Sequence, residues 1–530
     1  MAALLASWPI PPLAVAQTGQ TEGQSHSPRE GQQAPAEQTT PVQQYSIQLP
    51  TSPFVTPLTA PATTLPPWVP PAAPAPSQTN LPVPFPVPVP GAPGPPGGPA
   101  VPDRGIFALP TATARGATLE LRPTAKVAEE YSDNFFQTTD QPQRNFRTIW
   151  GPGFTLLLNG ARTSGSASVN LDMVHDTAQD SGNTVKFFPS LNAILRYAFT
   201  PRLTFSLTES FVRNDQPSTV DQFGIRSGRQ IFDTNTLGVA AEWLIDQFTT
   251  QAYYRNVLFF NESGNGETVP SGNTNNNITN IFGVNASARF AIDYGARIGY
   301  EFSHTRDLGT NAASGGDSNS NTTNTGFVAV SRQFGVFASA GLSSSYSYQT
   351  DESTSTFNAS VFGTYGLPNS LSISGSVGYS VINSDTQDND GTMSLNFNAI
   401  YRPTPKLSVS VGMFRDFQQT AQQGQDFGTV QTQAYHGSLT YQATPFINTA
   451  LNVTYRENQG TGTGNTQSND KETNLTCGAS LNWQLLRWLV GTLGYTYTKQ
   501  TGQGVFNQQT GIGGNGYTEN RVSLSFFASF

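Results

Sequence analysis

The sequence has a single cysteine, Cys477, and only four histidines in 530 residues. One thiol excludes an intramolecular disulfide, so no disulfide framework holds this chain. The histidines, His26, His175, His304 and His436, lie far apart with no partner at metal-ligand spacing. Neither a metal centre nor a histidine-assisted nucleophile is therefore expected, and the expectation is a non-enzymatic protein without cofactors. Charge is scarce too: Asp, Glu, Lys and Arg make up 12% of the chain, about half the ordinary fraction of roughly 25%. A surface so poor in charge is expected to be covered in part by something other than water. The net charge of -8 and the absence of any basic cluster argue against a nucleic-acid partner. Long apolar runs are missing as well, which excludes ordinary helical membrane spans. The membrane architecture still open to such a chain is a closed β-barrel, because only helices and barrels satisfy every backbone group in lipid.

What is present divides into three parts. Residues 1–16, MAALLASWPIPPLAVA, are apolar and end in an Ala-Val-Ala site followed by Gln17, the pattern of a signal-peptide remnant whose basic n-region is missing. Residues 17–115 are rich in proline, 27 of the chain's 38 prolines lying before Thr111. The run LPVPFPVPVPGAPGPPGGPAVP favours extended polyproline II and has nothing with which to build a core. From Thr51 to Asp103 such a segment reaches on the order of 160 Å when fully extended. It is expected to be a disordered periplasmic tether or spacer.

From residue 116 to 530 the texture becomes alternation, with about 20 candidate strands (18–22). The stretches YAFTPRLTFSL, YRPTPKLSVSV and YQATPFINTAL repeat one phrase: a tyrosine, Thr-Pro shortly after it, then a new alternating run. Proline cannot donate to a strand ladder, so each Thr-Pro marks a tight reversal between two strands. Strands running into the short turns end in an aromatic of one parity: Tyr197, Trp243, Phe290, Tyr365, Tyr401, Tyr441 and Trp483. Strands leaving them finish near another: Phe211, Tyr300, Tyr346, Tyr379, Tyr455 and Tyr497. Two aromatic levels are the expected interfacial girdles of an all-β transmembrane antiparallel barrel in a bacterial outer membrane. Short turns alternate with long polar loops such as SGNGETVPSGNTNNN, which puts the short turns and the N-terminal segment in the periplasm.

Strand parity separates two faces. Leu371, Ile373, Val377, Tyr379 and Val381 fall on one, and Ser372, Ser374, Ser376 and Ser380 on the other. The polar parity is the expected lumen wall, with ionisable groups at Glu120, Arg122, Lys126, Asp172, Arg196, Glu242, Arg289, Arg297, Glu301, Arg402 and Arg521. The chain ends RVSLSFFASF, with Val522, Leu524, Phe526, Ala528 and Phe530 on one face and a terminal aromatic. This end resembles the signal by which the barrel-insertion machinery of bacterial outer membranes recognises its clients.

Near the first strands, VAEEYSDNFF carries a Tyr-x-Asp-Asn-x-Phe phrase at Tyr131, Asp133, Asn134 and Phe136. With the following GPGFTLLLNGARTSGSASVNL it resembles the opening of the β-barrel porin-2 family. That resemblance implies a large outer-membrane barrel, with exopolysaccharide export or its machinery as partners. Other motifs are weak. DTQDNDGT, Asp385–Thr392, lacks the closing glutamate of a calcium loop and reads as a solvated turn, and GIGGNG has no helix after it to cradle a phosphate. The expected function is passive diffusion or export of hydrophilic solutes, saccharides among them, with residues 215–231 or 261–277 narrowing the mouth. The alternative is a structural anchor that links the membrane to periplasmic machinery through the tether. A plugged, energy-coupled receptor is disfavoured, since the proline-rich segment cannot fold into a plug.

Overall fold

A computed structural model describes residues 112–114, 117–137, 142–177, 185–215, 231–262, 276–290, 293–308, 320–350, 353–367, 370–384, 387–419, 429–461, 471–503 and 516–530. The signal-peptide remnant and the proline-rich tether up to residue 111 lie outside the described residues, as do GIGGNG but for its last glycine and most of the long loops. All regular structure described is β, with no helix. Every pairing is antiparallel. From β2 (Ala117–Ser132) to β21 (Gly516–Ser529) each strand pairs with the next in sequence, and β21 pairs back onto β2 from Thr124↔Ser529 to Ser132↔Arg521. The result is a closed up-and-down barrel of 20 strands, the number expected from the alternation. A short strand, β1 (Ala112–Ala114), pairs with Ala117–Leu119 of β2.

Closure leaves no free edge, and the short-turn rim shows how that is reinforced. The carbonyl at one turn accepts the N–H of the strand beyond the next, as in Ala198 N to Arg162 O (2.8 Å), Leu244 N to Arg202 O (2.7 Å) and Arg402 N to Ser370 O (2.6 Å). The rim closes where Phe530 N donates to Pro123 O at 3.0 Å. Phe530 also stacks on Trp488, ring centroids 5.5 Å apart.

The Thr-Pro phrase is explained by side-chain capping. Thr200 Oγ1 accepts from the N–H groups of Arg202 and Leu203 at 3.2 and 3.0 Å, and Thr444 Oγ1 accepts from Phe446 N at 3.2 Å. Proline sets φ for the reversal while the threonine satisfies donors that the turn leaves unpaired. The ladder shifts register between Ala198 and Thr200, Tyr401 and Thr404, and Gln442 and Thr444, so each tyrosine stands just before a bulge. Thr200→Val is expected to lower stability by about 0.5–1.5 kcal/mol, read as a lower urea midpoint of the detergent-folded barrel; an unmoved midpoint would show that water replaces the hydroxyl without loss.

The two faces differ as parity predicts. On β13 (Thr354–Leu367) Phe357, Val361 and Tyr365 are exposed outward, while Thr354, Thr356 and Asn358 are buried. Tyr197, Trp243, Phe290, Tyr365, Tyr401 and Tyr441 are all exposed on the outer face at the short-turn end. Trp483 is half-buried and meets Phe526 edge-on, centroids 6.2 Å apart. Of the outward C-terminal residues, Val522 and Leu524 are exposed and Ala528 is buried. The connections opposite the short turns are not uniformly long. Only four residues separate β12 (Ala338–Gln349) from β13 and two separate β14 (Leu371–Ser384) from β15 (Gln387–Thr404), and the acidic stretch after residue 386 is ladder, Asp390 pairing with Ile382. Among the described residues no cluster of His, Cys, Asp and Glu is arranged to hold a metal ion.

Candidate functional site

The lumen wall is built from inward positions of alternating strands, and the predicted ionisable residues fall into distinct settings on it. Lys126 Nζ lies 2.6 Å from Asp172 Oδ2, joining β2 to β4 (Thr163–Asp176) across β3 (Asn145–Asn159). Arg122 Nε lies 2.7 Å from Glu120 Oε1 on the same strand. Arg521 stands 3.9 Å from Glu130, so the barrel seam carries an inward ion pair. Arg196 and Glu242 are exposed near the short-turn end, and Arg289 and Arg402 are half-buried. These charges line the wall without converging on one point.

Arg297 and Glu301, both on β10 (Tyr294–Asp307), belong to a tighter group. Tyr253 on β8 (Phe248–Glu262) donates its hydroxyl to Glu301 Oε2 at 2.5 Å. The reach is possible because Gly283 of β9 (Asn277–Arg289) lies between them. A Cβ there would stand 2.1 Å from the tyrosine ring, so any other residue would displace it. From the opposite side Phe327 of β11 (Ser320–Phe334) leans over Gly299, where a Cβ would lie 2.4 Å from the ring. The Arg297 guanidinium stands over Phe327, 5.1 Å from its centroid, an arrangement that holds the cation by its planar face. Arg255 completes the group from β8, within electrostatic range of Glu301 and Tyr253.

Toward the long loops the wall is buried. Arg147 is 0% exposed and holds Asp176 with two bonds, Nε to Oδ1 at 2.6 Å and Nη2 to Oδ2 at 2.7 Å. Asp176 also accepts from Asn145 (2.9 Å) and Lys186 (3.2 Å), and Asp215 Oδ2 lies 3.5 Å from Arg147 Nη2. Asp215 follows β6 (Leu203–Asn214), three strands around the wall from β3, so the chain leaving β6 turns inward across the neighbouring strands. At the other end of that connection Ile231 packs against Ala128, Ile149, Val174 and Phe188. Both described flanks of the predicted narrowing segment 215–231 thus meet the β2–β5 side of the lumen; residues 216–230 themselves, and 263–275 of the other such segment, lie outside the described residues. Ser347, Ser380, Asp416, Asn458 and Glu472 continue the buried belt around the barrel. Hydroxyl and amide bonds knit it together, including Ser394 to Asp416 (2.8 Å) and Asn458 to Glu472 (2.7 Å).

The Tyr-x-Asp-Asn-x-Phe phrase is the clasp at the end of the seam. Asp133 accepts from Asn520 N and Nδ2, both at 2.7 Å, while Asp133 N donates to Asn520 O at 3.1 Å. Asn134 Nδ2 donates to Thr518 O at 3.0 Å. Phe135 and Phe136 are buried, Phe135 beneath the Arg147 guanidinium at 5.2 Å. Parity arguments missed Arg147, Asp176, Lys186, Asp215, Tyr253 and Arg255. For Tyr253 the usable signal was a large aromatic of lumen parity, matched by glycines at inward positions of the following strands; for Asp215 no local pattern existed.

Cys477 lies on the outward parity of β19 (Lys471–Leu486), opposite Tyr497, and His436 lies inward over Gly412. No protein-family model matches the chain and no curated protein matches it, so the porin-2 resemblance rests on the seam phrase and is not confirmed. Some solved structures are weakly similar to the chain. The ferric enterobactin receptor of Pseudomonas aeruginosa is 12% identical with a TM-score of 0.45, covering 78% of this chain and 80% of that one. The siderophore receptor PirA of Acinetobacter baumannii is 10% identical with a TM-score of 0.44, covering 77% and 80%. The FrpB iron transporter of Neisseria meningitidis is 11% identical with a TM-score of 0.43, covering 77% and 82%. The roles and ligands those names mention belong to those proteins.

Proposed function

We propose that this chain is an outer-membrane pore through which hydrophilic solutes, saccharides among them, cross by diffusion. The observation that carries the reading is the two-faced wall: a closed barrel with apolar side chains and an aromatic level outside, and paired charges, hydroxyls and amides inside. An outer face of Val, Leu and Phe is costly in water and favourable in lipid, whereas the inner charges require a wet lumen. Twenty strands spaced about 4.8 Å apart and tilted about 40° enclose a wall roughly 40 Å across between backbones, wide enough for a hydrated path. Burial of the inner wall toward the long loops, against exposure of Arg196 and Glu242 toward the short turns, supports a path that is narrower on the long-loop side. In this reading the short turns and the N-terminal segment face the periplasm.

Full-length protein folded into planar bilayers is expected to give stable single-channel steps that oligosaccharides partly block. A heat-modifiable, folded barrel that never conducts would overturn the pore. The proline-rich segment supports a second reading, a tether from the membrane to periplasmic machinery. Removing residues 20–105 separates the two: normal conductance with lost complexes favours tethering, and unchanged complexes argue against it.

A further inference from the structure

We propose that Tyr253, Arg255, Arg297, Glu301 and Phe327 form a binding subsite on the lumen wall for a carboxylate carried on a ring, an inference that rests on the pore reading above. Most other described inner charges sit in matched pairs or networks: Lys126 with Asp172, Arg122 with Glu120, Arg521 with Glu130, and Arg147 with Asp176. Here Arg255 lies within electrostatic range of Glu301, a carboxylate already engaged by the Tyr253 hydroxyl, while Arg297, over Phe327 and within range of Tyr253, makes no ion pair among the described residues. The group therefore keeps a net positive charge. Its donors are also incompletely used, since Arg255 Nε is buried with no hydrogen-bond partner. A buried N–H without an acceptor is a standing cost that an anionic oxygen removes.

The geometry is prepared for such a guest. Gly283 and Gly299 let the Tyr253 and Phe327 rings lie against β9 and β10 from opposite sides, so the wall between them is flat. Arg297 is braced on Phe327, which limits how far its guanidinium can swing. Guanidinium donors match the two oxygens of a carboxylate, and the half-exposed Tyr253 ring offers an apolar face for the C–H groups or π-face of an attached ring. Glu301, 3% exposed and already bonded to the Tyr253 hydroxyl, repels a compact anion, which favours a ring acid over a simple inorganic anion. The five residues stand near mid-wall, where the exposed short-turn half of the lumen meets the buried belt. A solute entering from the short-turn side meets them before the narrow part.

Sugar acids and aromatic acids share this chemistry, so galacturonate and benzoate are both used as probes, with galactose as the neutral control. In single-channel recordings of the full-length protein, at least one of the two acids is expected to block the current at concentrations where galactose does not. Which acid blocks tells the source. The Arg255→Gln/Arg297→Gln double variant, checked for folding by heat modifiability, is expected to weaken block about tenfold, the loss of a paired charge-assisted contact. A conducting wild-type pore that neither acid blocks, or block by galactose as strong as by the acids, would overturn the subsite and leave the pore standing. Equilibrium dialysis of labelled acid against detergent-folded protein reads the subsite even where the barrel fails to conduct, so failure of the pore and failure of the subsite are told apart.

Discussion

Replacing Arg147 by methionine is expected to destabilise the folded barrel by about 3–5 kcal/mol, the cost of breaking one side of a buried ion pair. The side chain is 0% exposed, and its fork satisfies both oxygens of Asp176 while it approaches Asp215 at 3.5 Å. Without it the two buried carboxylates lose the guanidinium between them, leaving Lys186 as the cation beside Asp176 at 3.2 Å. The shape change is small by comparison, because methionine still covers the Phe135 ring that the guanidinium now sits above. Arg147→Met/Asp176→Leu removes the pair together and is expected to recover a substantial part of the loss, since an apolar replacement of a whole buried pair is often neutral. Urea unfolding of the detergent-folded protein reads both. Equal losses in the single and double variants would show that packing, and not the uncompensated charge, sets the cost.

On the outer face the expected result is Val361→Arg, which should cost about 2–4 kcal/mol in a bilayer. Val361 is 52% exposed and pairs with Leu342 on one side and Val377 on the other, forming an apolar row around the wall. It lies between Phe357 and Tyr365 of the same strand, and those two aromatics bracket the apolar band. An arginine there has no polar partner within its row and is too far from either aromatic level to reach water without strain. The same substitution at Asn358, on the opposite face of β13, meets a polar wall, though one already occupied by a 2.6 Å bond to Ser380. Folding yield into liposomes and the unfolding midpoint measure the difference from wild type. A Val361→Arg barrel as stable in lipid as the native one would mean that this face is covered by protein or water, and the membrane reading would have to be abandoned.

The features that were legible in advance are those written in short windows. A period of two assigns each residue to one of two faces, so Tyr197, Tyr365 and Tyr401 share one parity with the apolar side chains and Asp172, Arg196 and Glu301 the other. Thr-Pro turns are local as well: Thr200 and Thr444 cap donors only two or three residues away. Less was legible where parity alone was the guide. Lumen parity led to an expectation of hydroxyls and amides, yet Ile149, Val174 and Phe188 of that parity form an apolar patch because other parts of the chain pack on them. The Asp-Asn phrase was noticed for its likeness to a family, while its physical task is to fasten Asn520, 387 residues away.

The amino-acid sequence by itself determined the fold class, the strand alternation, the turn positions and the separation of an apolar outer face from a polar inner one. All of these follow from backbone geometry and side-chain character within a dozen residues. Only the tertiary structure decided which inward groups meet. Tyr253 and Glu301 are 48 residues apart, and Arg147 on β3 meets Asp215, which follows β6 three strands around the wall. Such meetings depend on the register of every intervening strand and on where a connection turns inward. Parity says which way a side chain points, but its height on the wall and its neighbours across it are set by the closed ladder as a whole.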